Sequence, residues 1–189
     1  MQSLLNCIAR YDPAYLAKAD ADALFSCLSK DRALTQRQTM QAADRTFELD
    51  FGKAIYLEPA LFASGEFPNG EGNHQSVWDP LIGQLAERLA QDLGQDFAVC
   101  VAIYYPDGEV GMTYHRDYPA FGDTSHLASI SLGAERIFSL RELATGMVTD
   151  TKLAHGSLFY MGPGCQDHYE HALLPDPANT APRINLTFR

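Results

Sequence analysis

The C-terminal half of the chain is built from short apolar or alternating runs, and this pattern limits the possible folds more than any other feature. The runs are residues 97–105, 110–114, 126–132, 136–140, 157–161 and 183–188. Turn residues separate them, at Pro106-Asp107-Gly108, Gly133, Gly146, Gly156 and Gly162-Pro163-Gly164. Runs of this length, punctuated in this way, are typical of an antiparallel sandwich or barrel. The sequence therefore predicts a mainly β fold with a jelly-roll core, preceded by helices.

The N-terminal half is expected to be more helical. Residues 1–45 are polar-rich and favour a helix capped by Asp20 or Asp22, with Asp12-Pro13 as an earlier start signal. Residues 46–61 alternate partly, as strands do, and residues 64–76 resemble an irregular loop. The clearest helix begins at Asp79-Pro80 and ends at Gly94. Its apolar stripe predicts packing against a sheet, with members Leu81, Ile82, Leu85, Leu89 and Leu93.

Composition indicates one globular domain spanning residues 1–189. The hydrophobic share is 46% and the charged share 20%, both ordinary for folded soluble proteins. Neither a signal peptide nor a membrane anchor is indicated, so a cytoplasmic location is expected. The formal net charge of −10 is the opposite of that expected for a nucleic-acid binder, although a local basic groove is compatible with it.

The four cysteines are predicted to be free thiols. Cys7, Cys27, Cys100 and Cys165 are widely spaced and form no Cys-x-x-Cys pair. This spacing argues against a zinc ribbon and against a dense disulfide framework.

A candidate metal corner lies at His115-Arg116-Asp117. On a β-strand, His115 and Asp117 project to one face and Arg116 to the other. Two histidines and one carboxylate form the facial triad of iron(II) oxygenases, which leaves positions open for a cosubstrate and oxygen. His-x-Asp alone is common and usually a surface hydrogen bond. A second histidine could come from His168 or His171, and spacing does not choose between them.

The last strand carries a candidate anion site. In residues 183–189, polar and apolar residues alternate strictly, so that Arg183, Asn185, Thr187 and Arg189 share one face. The ordinary interpretation is a solvated face. Two guanidinium groups flanking an amide and a hydroxyl, within about 20 Å of strand, also suit a dicarboxylate.

These motifs resemble the AlkB-type iron(II)- and 2-oxoglutarate-dependent dioxygenases over roughly residues 97–189. The resemblance rests on five segments: His115-Arg116-Asp117, Ser129-Ile130-Ser131-Leu132-Gly133, Leu153-Ala154-His155-Gly156-Ser157-Leu158, His171-Ala172-Leu173-Leu174-Pro175, and Pro182-Arg183-Ile184-Asn185-Leu186-Thr187-Phe188-Arg189. It implies a double-stranded β-helix in residues 96–189, with residues 1–95 supplying outer helices and substrate-side loops.

The resemblance also implies a ligand set. Fe(II) would be held by His115, Asp117 and His171, with O2 as the second cosubstrate. The carboxylates of 2-oxoglutarate would pair with Arg183 and Arg189, beside Asn185 and Thr187. Tyr104 matches the tyrosine of the family's Asn-x-Tyr element, in which Ala102 replaces the asparagine.

The implied activity is oxidative demethylation of N-alkylated nucleobases in DNA or RNA. The partner would be alkylated nucleic acid, single-stranded or with a flipped base, acted on by a monomer. Tyr56 is the preferred aromatic for base stacking, ahead of Phe62, Phe67 and Trp78, and Arg141 is a candidate substrate contact.

One departure from the family pattern bears on the substrate. Many nucleobase-repairing members continue after the metal aspartate with further acids, whereas Asp117 is followed by Tyr118-Pro119. An oxygenase acting on a protein side chain or a small metabolite is therefore the alternative. A binding protein without turnover is disfavoured by the intact ligand set.

Overall fold

The computed structural model describes residues 7–37, 39–42, 45–68, 74–117, 119 and 122–189. Its thirteen described strands run through the whole length of the chain. They are β1 (Ala9–Asp12), β2 (Thr39–Ala42), β3 (Arg45–Glu48), β4 (Gly52–Leu57), β5 (His74–Val77), β6 (Val99–Tyr105), β7 (Met112–His115), β8 (Leu127–Gly133), β9 (Arg136–Glu142), β10 (Val148–Leu153), β11 (Ser157–Met161), β12 (Tyr169–Leu173) and β13 (Arg183–Phe188).

Two sheets form the core of the jelly-roll. The larger has the order β1-β11-β8-β13-β6-β4-β5, and the smaller has the order β10-β9-β12-β7. Neighbouring strands are antiparallel except β4 and β5, which pair in parallel. Side chains from the two sheets pack together in a shared apolar cluster that includes Leu140, Phe159 and Tyr169. The predicted mainly β, jelly-roll fold is confirmed.

Five helices are described, and three of them cover the outer face of the larger sheet. The five are α1 (Lys18–Leu28), α2 (Arg32–Thr35), α3 (Pro59–Ser64), α4 (Pro80–Leu93) and α5 (Cys165–His168). Residues of α1, α2 and α4 join one core cluster with the outward side chains of β6, β8 and β13. The strict alternation of the last strand explains this arrangement, because Ile184, Leu186 and Phe188 all face the helices and are fully buried.

The helix after Asp79 is as the sequence predicts. The Asp79 carboxylate accepts from the backbone N–H of Leu81 and Ile82, and Pro80 occupies the first turn. Gly94 ends the helix at φ 69°, the left-handed conformation that glycine adopts without steric cost. Ile82, Leu85 and Leu89 are buried as expected, whereas Leu81 is exposed.

Several N-terminal expectations are wrong. Asp12 ends a strand, and α1 begins at Lys18 after Ala17, so neither Asp20 nor Asp22 is its N-cap. The division at residue 95 does not separate helices from sheet, because β1, β4 and β5 belong to the larger sheet. The expected loop at 64–76 ends in β5, and its residues 69–73 lie outside the described part of the chain.

Among the described residues, no helix has the length and apolarity needed to cross a bilayer.

The prediction that all four cysteines are free is wrong for two of them. Cys7 and Cys165 form a disulfide across a sequence separation of 158 residues. The tertiary structure brings the two cysteines together, because Ile8 exchanges backbone hydrogen bonds with Gly162 and Pro163 in the turn before α5. Cys27 and Cys100 are free, the first exposed and the second buried.

Candidate active site

A cavity opens between the two sheets, and the candidate residues from the last strand and from the metal corner meet in it. The larger sheet contributes Lys53, Val101, Ile103, Tyr105, Ser129, Met161, Arg183, Asn185 and Thr187, and the smaller contributes Met112, His115, Phe138, His171 and Leu173; Phe51, Arg116, Asp117 and Arg189, which lie outside the strands, complete the lining. One cavity therefore holds metal-ligating side chains and guanidinium groups together.

His115, Asp117 and His171 come together at the smaller sheet. Their candidate ligand atoms all lie within 4.8 Å of one another. His171 is the register partner of His115 across the β12–β7 pair, and the two rings are 4.3 Å apart between centroids. His171 Nε2 lies 3.8 Å from Asp117 Oδ2. Because His168 is exposed at the end of α5, the structure decides the open choice in favour of His171.

Neighbouring groups orient His115 and Asp117. His115 Nδ1 lies 2.7 Å from the Thr113 carbonyl oxygen, which can only accept, so Nδ1 carries the proton and Nε2 is left for a metal. Asp117 lies beyond the end of β7, where no strand pairing fixes it. Its backbone N–H instead donates to Gln166 Oε1 at 2.9 Å, and its Oδ1 accepts from Arg189 Nη2 at 3.0 Å.

The electrostatic environment keeps His171 neutral. Burial lowers the pKa of His171 to about 4, against an opposing effect of Asp117 and with further lowering from His115 and Arg189. A neutral imidazole is the form that binds a metal ion. Among the described residues, its buried Nδ1 has no hydrogen-bond partner.

Close backbone packing holds the metal-bearing strands together. Just before β7, a Cβ on Gly111 would lie 2.6 Å from the Leu173 carbonyl oxygen of β12, so only glycine fits there. The buried guanidinium of Arg136 bonds three carbonyl oxygens on both sides of this contact, those of Asp107, Val110 and Leu174.

The polar face of β13 lines the cavity, and the solvated interpretation of that face is wrong. Arg183, only 2% exposed, donates from Nη2 to Ser131 Oγ at 2.9 Å and to Asn185 Oδ1 at 3.2 Å. Asn185 in turn accepts from Ser129 Oγ and donates to Thr187 Oγ1. Burial lowers the pKa of Arg183 to about 10, so the group is still a cation near neutral pH.

The tyrosine at the cavity is Tyr105 rather than Tyr104. Alternation along β6 turns Val101, Ile103 and Tyr105 toward the cavity, whereas Ala102 and Tyr104 pack in the cluster beneath the helices. The Arg183 guanidinium lies 5.6 Å from the Tyr105 ring centroid. The cosubstrate-side role predicted for Tyr104 therefore belongs to Tyr105. The position two residues before it, where the family has asparagine, is then Ile103 rather than Ala102.

Both candidate substrate residues lie away from the cavity. Tyr56 is 5% exposed in the cluster under the helices, and its hydroxyl donates to Asp31 Oδ2 at 2.6 Å, because it occupies the opposite face of β4 from Lys53. Arg141 pairs with Glu170 and lies 3.7 Å from the Tyr114 ring centroid, and it is not among the cavity-lining residues. The contact that the structure shows for Arg141 is therefore with a carboxylate outside the cavity.

Two charged residues line the cavity although the sequence did not predict them there. Arg116 lines the cavity although alternation predicted that it would face away, because β7 ends at His115 and the alternation ends with it. Lys53 lies on the cavity face of β4, among apolar neighbours in sequence. The partial alternation of residues 46–61 contained the signal for Lys53, since Phe51, Lys53 and Ile55 fall on one face.

Comparison with known proteins agrees with this geometry. The profile of the 2OG-Fe(II) oxygenase superfamily matches residues 9–189. The chain belongs to the 2OG-Fe(II) oxygenase superfamily. The three grouped side chains fit an iron site of this family, because they form a set of two histidines and one carboxylate. One of their ring nitrogens, His171 Nδ1, is buried and has no hydrogen-bond partner among the described residues.

Individual relatives are of AlkB type, as the motifs predicted. The DNA oxidative demethylase ALKBH2 of Mus musculus is 35% identical over 121 residues, which cover 59% of this chain and 51% of that protein. The alpha-ketoglutarate-dependent dioxygenase alkB homolog 3 of Bos taurus is 27% identical over 194 residues, covering 94% of this chain and 64% of that protein. The chain thus spans about half to two thirds of the length of these relatives.

A solved structure has the same fold. The structure of OsALKBH1 covers 99% of this chain, and the chain covers all of it, with a TM-score of 0.66 at 13% sequence identity. At that identity the likeness concerns the fold alone.

Proposed function

We propose that this protein is an Fe(II)- and 2-oxoglutarate-dependent oxidative demethylase of N-alkylated nucleobases in DNA or RNA. The observation that carries the proposal is the meeting, in one cavity, of the His115, Asp117 and His171 group with the polar face of β13. The similarity to a mouse protein named as a DNA oxidative demethylase supports the choice of substrate.

Each part of the cavity has a role in this function. The two histidines and Asp117 would hold the metal, and a ligand set of this kind supplies three positions and leaves the others for a cosubstrate and oxygen. Arg183, oriented by Ser131 and Asn185, binds one carboxylate of 2-oxoglutarate, and Arg189 serves the end nearest Asp117. When bound there, iron, 2-oxoglutarate and O2 together would supply hydroxylation of a C–H bond: one oxygen atom of O2 enters the new hydroxyl group and the other enters succinate, with CO2 released. A hydroxylated N-methyl group then loses formaldehyde and restores the base.

The apolar walls exclude water and offer a surface for the base. Phe138 packs on His171 with centroids 5.4 Å apart, and Tyr105 is buried below Arg183. Phe51 lines the cavity and is partly exposed, which leaves it the aromatic side chain best placed to stack on a flipped base. It takes the role for which the sequence had suggested Tyr56.

The test is substrate-stimulated turnover. With Fe(II), ascorbate and 2-oxoglutarate, we expect an oligonucleotide carrying 1-methyladenine or 3-methylcytosine to accelerate succinate formation and to release formaldehyde. The matched control is the same oligonucleotide without the methyl group. Phe51→Leu should raise the KM for the methylated strand and leave the KM for 2-oxoglutarate unchanged.

The alternative is oxygenation of a protein side chain or a small metabolite. It is favoured by the net charge of −10 and by Pro119, which stands near Asp117 where an acid would help to read a base; Tyr118 lies outside the described residues. Uncoupled conversion of 2-oxoglutarate without stimulation by any methylated strand would favour this alternative. A cytoplasmic location and a monomeric state remain predictions.

A further inference from the structure

Gln166 contacts a metal ligand from outside the ligand set. It is half-buried in α5, and its Oε1 accepts from the Asp117 backbone N–H at 2.9 Å. Its Nε2 donates to the Met161 sulfur at 3.8 Å, at the end of β11. The two contacts connect Asp117, which follows β7 of the smaller sheet, to a strand of the larger sheet. Gln166 therefore influences where the Asp117 backbone lies relative to the cavity.

The Asp117 main chain needs such a support because β7 ends at His115. The Asp117 carboxylate also accepts from Arg189, which orients its Oδ1. The Gln166 bond acts on the backbone instead, so it fixes the Cα from which the carboxylate projects. A shift of that Cα would move the carboxylate away from the two histidines. Groups that orient a metal ligand in this way typically change metal affinity by about 10- to 100-fold when they are lost.

A disulfide fixes the segment that carries Gln166. Cys165, the residue before it, is 1% exposed and is bonded to Cys7. Next to Cys7, Ile8 exchanges two backbone hydrogen bonds, of 2.7 and 3.3 Å, with the turn that leads into α5. This N-terminal pair thus holds the turn and the first residue of α5 by one covalent bond and two hydrogen bonds. Because α5 has only four residues, a movement of Cys165 carries Gln166 with it.

We propose that Gln166 is a positioning residue for Asp117, and that the Cys7–Cys165 disulfide controls metal affinity through it. In the oxidised protein, the cross-link holds α5 with the Gln166 acceptor at the Asp117 N–H. A dithiol reductant breaks the S–S bond by passing two electrons and two protons to the cysteines, which become thiols, while the reductant closes to a disulfide. The α5 segment then loses its covalent anchor, and metal binding weakens. The proposal rests on the metal site and not on the identity of the substrate.

Metal affinity of Gln166 variants tests the first part of the proposal. We expect Gln166→Leu, which removes the acceptor, to weaken Mn(II) binding about tenfold in calorimetry without cosubstrate. Gln166→Glu keeps an acceptor for the Asp117 N–H, and its added negative charge does not repel a cation, so it should not lose affinity. Gln91→Leu, at an exposed position of α4, is the matched control. Arg141→Met, a surface change away from the cavity, separates loss of the contact from a general loss of stability.

A double-mutant cycle tests the link to the disulfide. We expect Cys7→Ser to weaken Mn(II) binding about threefold on its own and to have no further effect in Gln166→Leu, because the connection to Asp117 is already missing there. Cys27→Ser, at an exposed free thiol, is the control. Wild-type protein that has been reduced, freed of dithiol under anaerobic conditions and shown to have gained two thiols should bind Mn(II) as Cys7→Ser does. Cys7→Ala replaces Cys7→Ser if that variant does not fold.

Three results would overturn the proposal. Equal Mn(II) affinities of Gln166→Leu and Gln91→Leu would exclude a positioning role for Gln166. Unchanged affinity in Cys7→Ser and in the reduced protein would exclude control by the disulfide. Additive effects of Cys7→Ser and Gln166→Leu would show that the disulfide acts on the metal site by another route. Failure of the proposed demethylase function would show separately, as absent stimulation by methylated strands with the expected pattern of metal affinities intact.

Discussion

The two sheets contribute different chemistry to the same cavity and fix it by different means. The larger sheet provides the cations Lys53 and Arg183, and β13 is paired along its whole length with β6 on one side and β8 on the other. The smaller sheet provides both histidines, but the β12–β7 pairing shifts register between His171 and Leu173. Backbone ladders therefore place the anion-binding groups, whereas side-chain contacts complete the metal ligands.

The largest expected effect comes from removing a metal ligand of the smaller sheet. We expect His171→Ala to lower metal affinity by more than the 10- to 100-fold typical of an outer-sphere partner and to abolish succinate formation. Metal content after dialysis and anaerobic Fe(II) titration measure this. His168→Ala, three residues earlier and exposed, is the matched control and should bind metal as wild type does. Retention of metal by His171→Ala would refute the ligand assignment.

The disulfide joins the two sheets, and its removal is the next largest effect. Cys7 precedes β1 at the edge of the larger sheet, and Cys165 lies in α5, which leads directly into β12 of the smaller sheet. We expect Cys7→Ser to lower the free energy of unfolding by about 3 kcal/mol, because the unfolded chain is no longer cross-linked. Urea denaturation without reductant measures the loss. Cys27→Ser, at an exposed free thiol, is the control; equal stability of the two variants would mean that the cross-link does not constrain the chain.

A smaller effect sharpens the role of the larger sheet. Arg183→Lys keeps a positive charge but loses the planar guanidinium group whose Nη2 donates to both Ser131 and Asn185. We expect the KM for 2-oxoglutarate to rise about tenfold, roughly 1.4 kcal/mol, with metal affinity unchanged. Arg10→Lys on exposed β1 is the matched control. A loss of metal in Arg183→Lys would show that the two sheets do not act separately.

The smallest effect is expected outside the cavity. Arg141 pairs with Glu170 and packs on Tyr114 on the smaller sheet, with its side chain 38% exposed. We expect Arg141→Met to lower the free energy of unfolding by at most about 1 kcal/mol, the usual value of such a surface pair, with both cosubstrate and metal binding unchanged. A tenfold rise in the KM for a methylated oligonucleotide would instead restore Arg141 as a substrate contact.

The same contrast explains what the sequence could predict. The strict alternation of residues 183–189 placed Arg183 and Arg189 on one face correctly, and the Asp79 and Gly94 caps are local signals that bounded α4. In β6, polar and apolar residues do not alternate, because both faces of Val99–Tyr105 are covered and the run is apolar throughout. The assignment of the cavity tyrosine to Tyr104 therefore rests on the resemblance alone, and the local pattern could not correct it to Tyr105.

Other features depend on contacts that no local pattern records. The Cys7–Cys165 pair spans almost the whole chain, and widely spaced cysteines do not reveal their partners. Tyr56 was favoured on resemblance, but its burial against Asp31 follows from the helices that cover β4. Between His168 and His171, only the register of β12 against β7 makes the choice.

The position of Asp117 has a consequence for how enzymes of this kind can diversify. Its backbone is held by Gln166 from α5 and its carboxylate by Arg189, so both supports come from elements that precede β12 or follow β13. Both supports are therefore distant from Asp117 in sequence. Changes near Asp117 in the sequence can alter which molecule is accepted while these two contacts still hold the ligand, so that selection can act on specificity without a loss of catalysis.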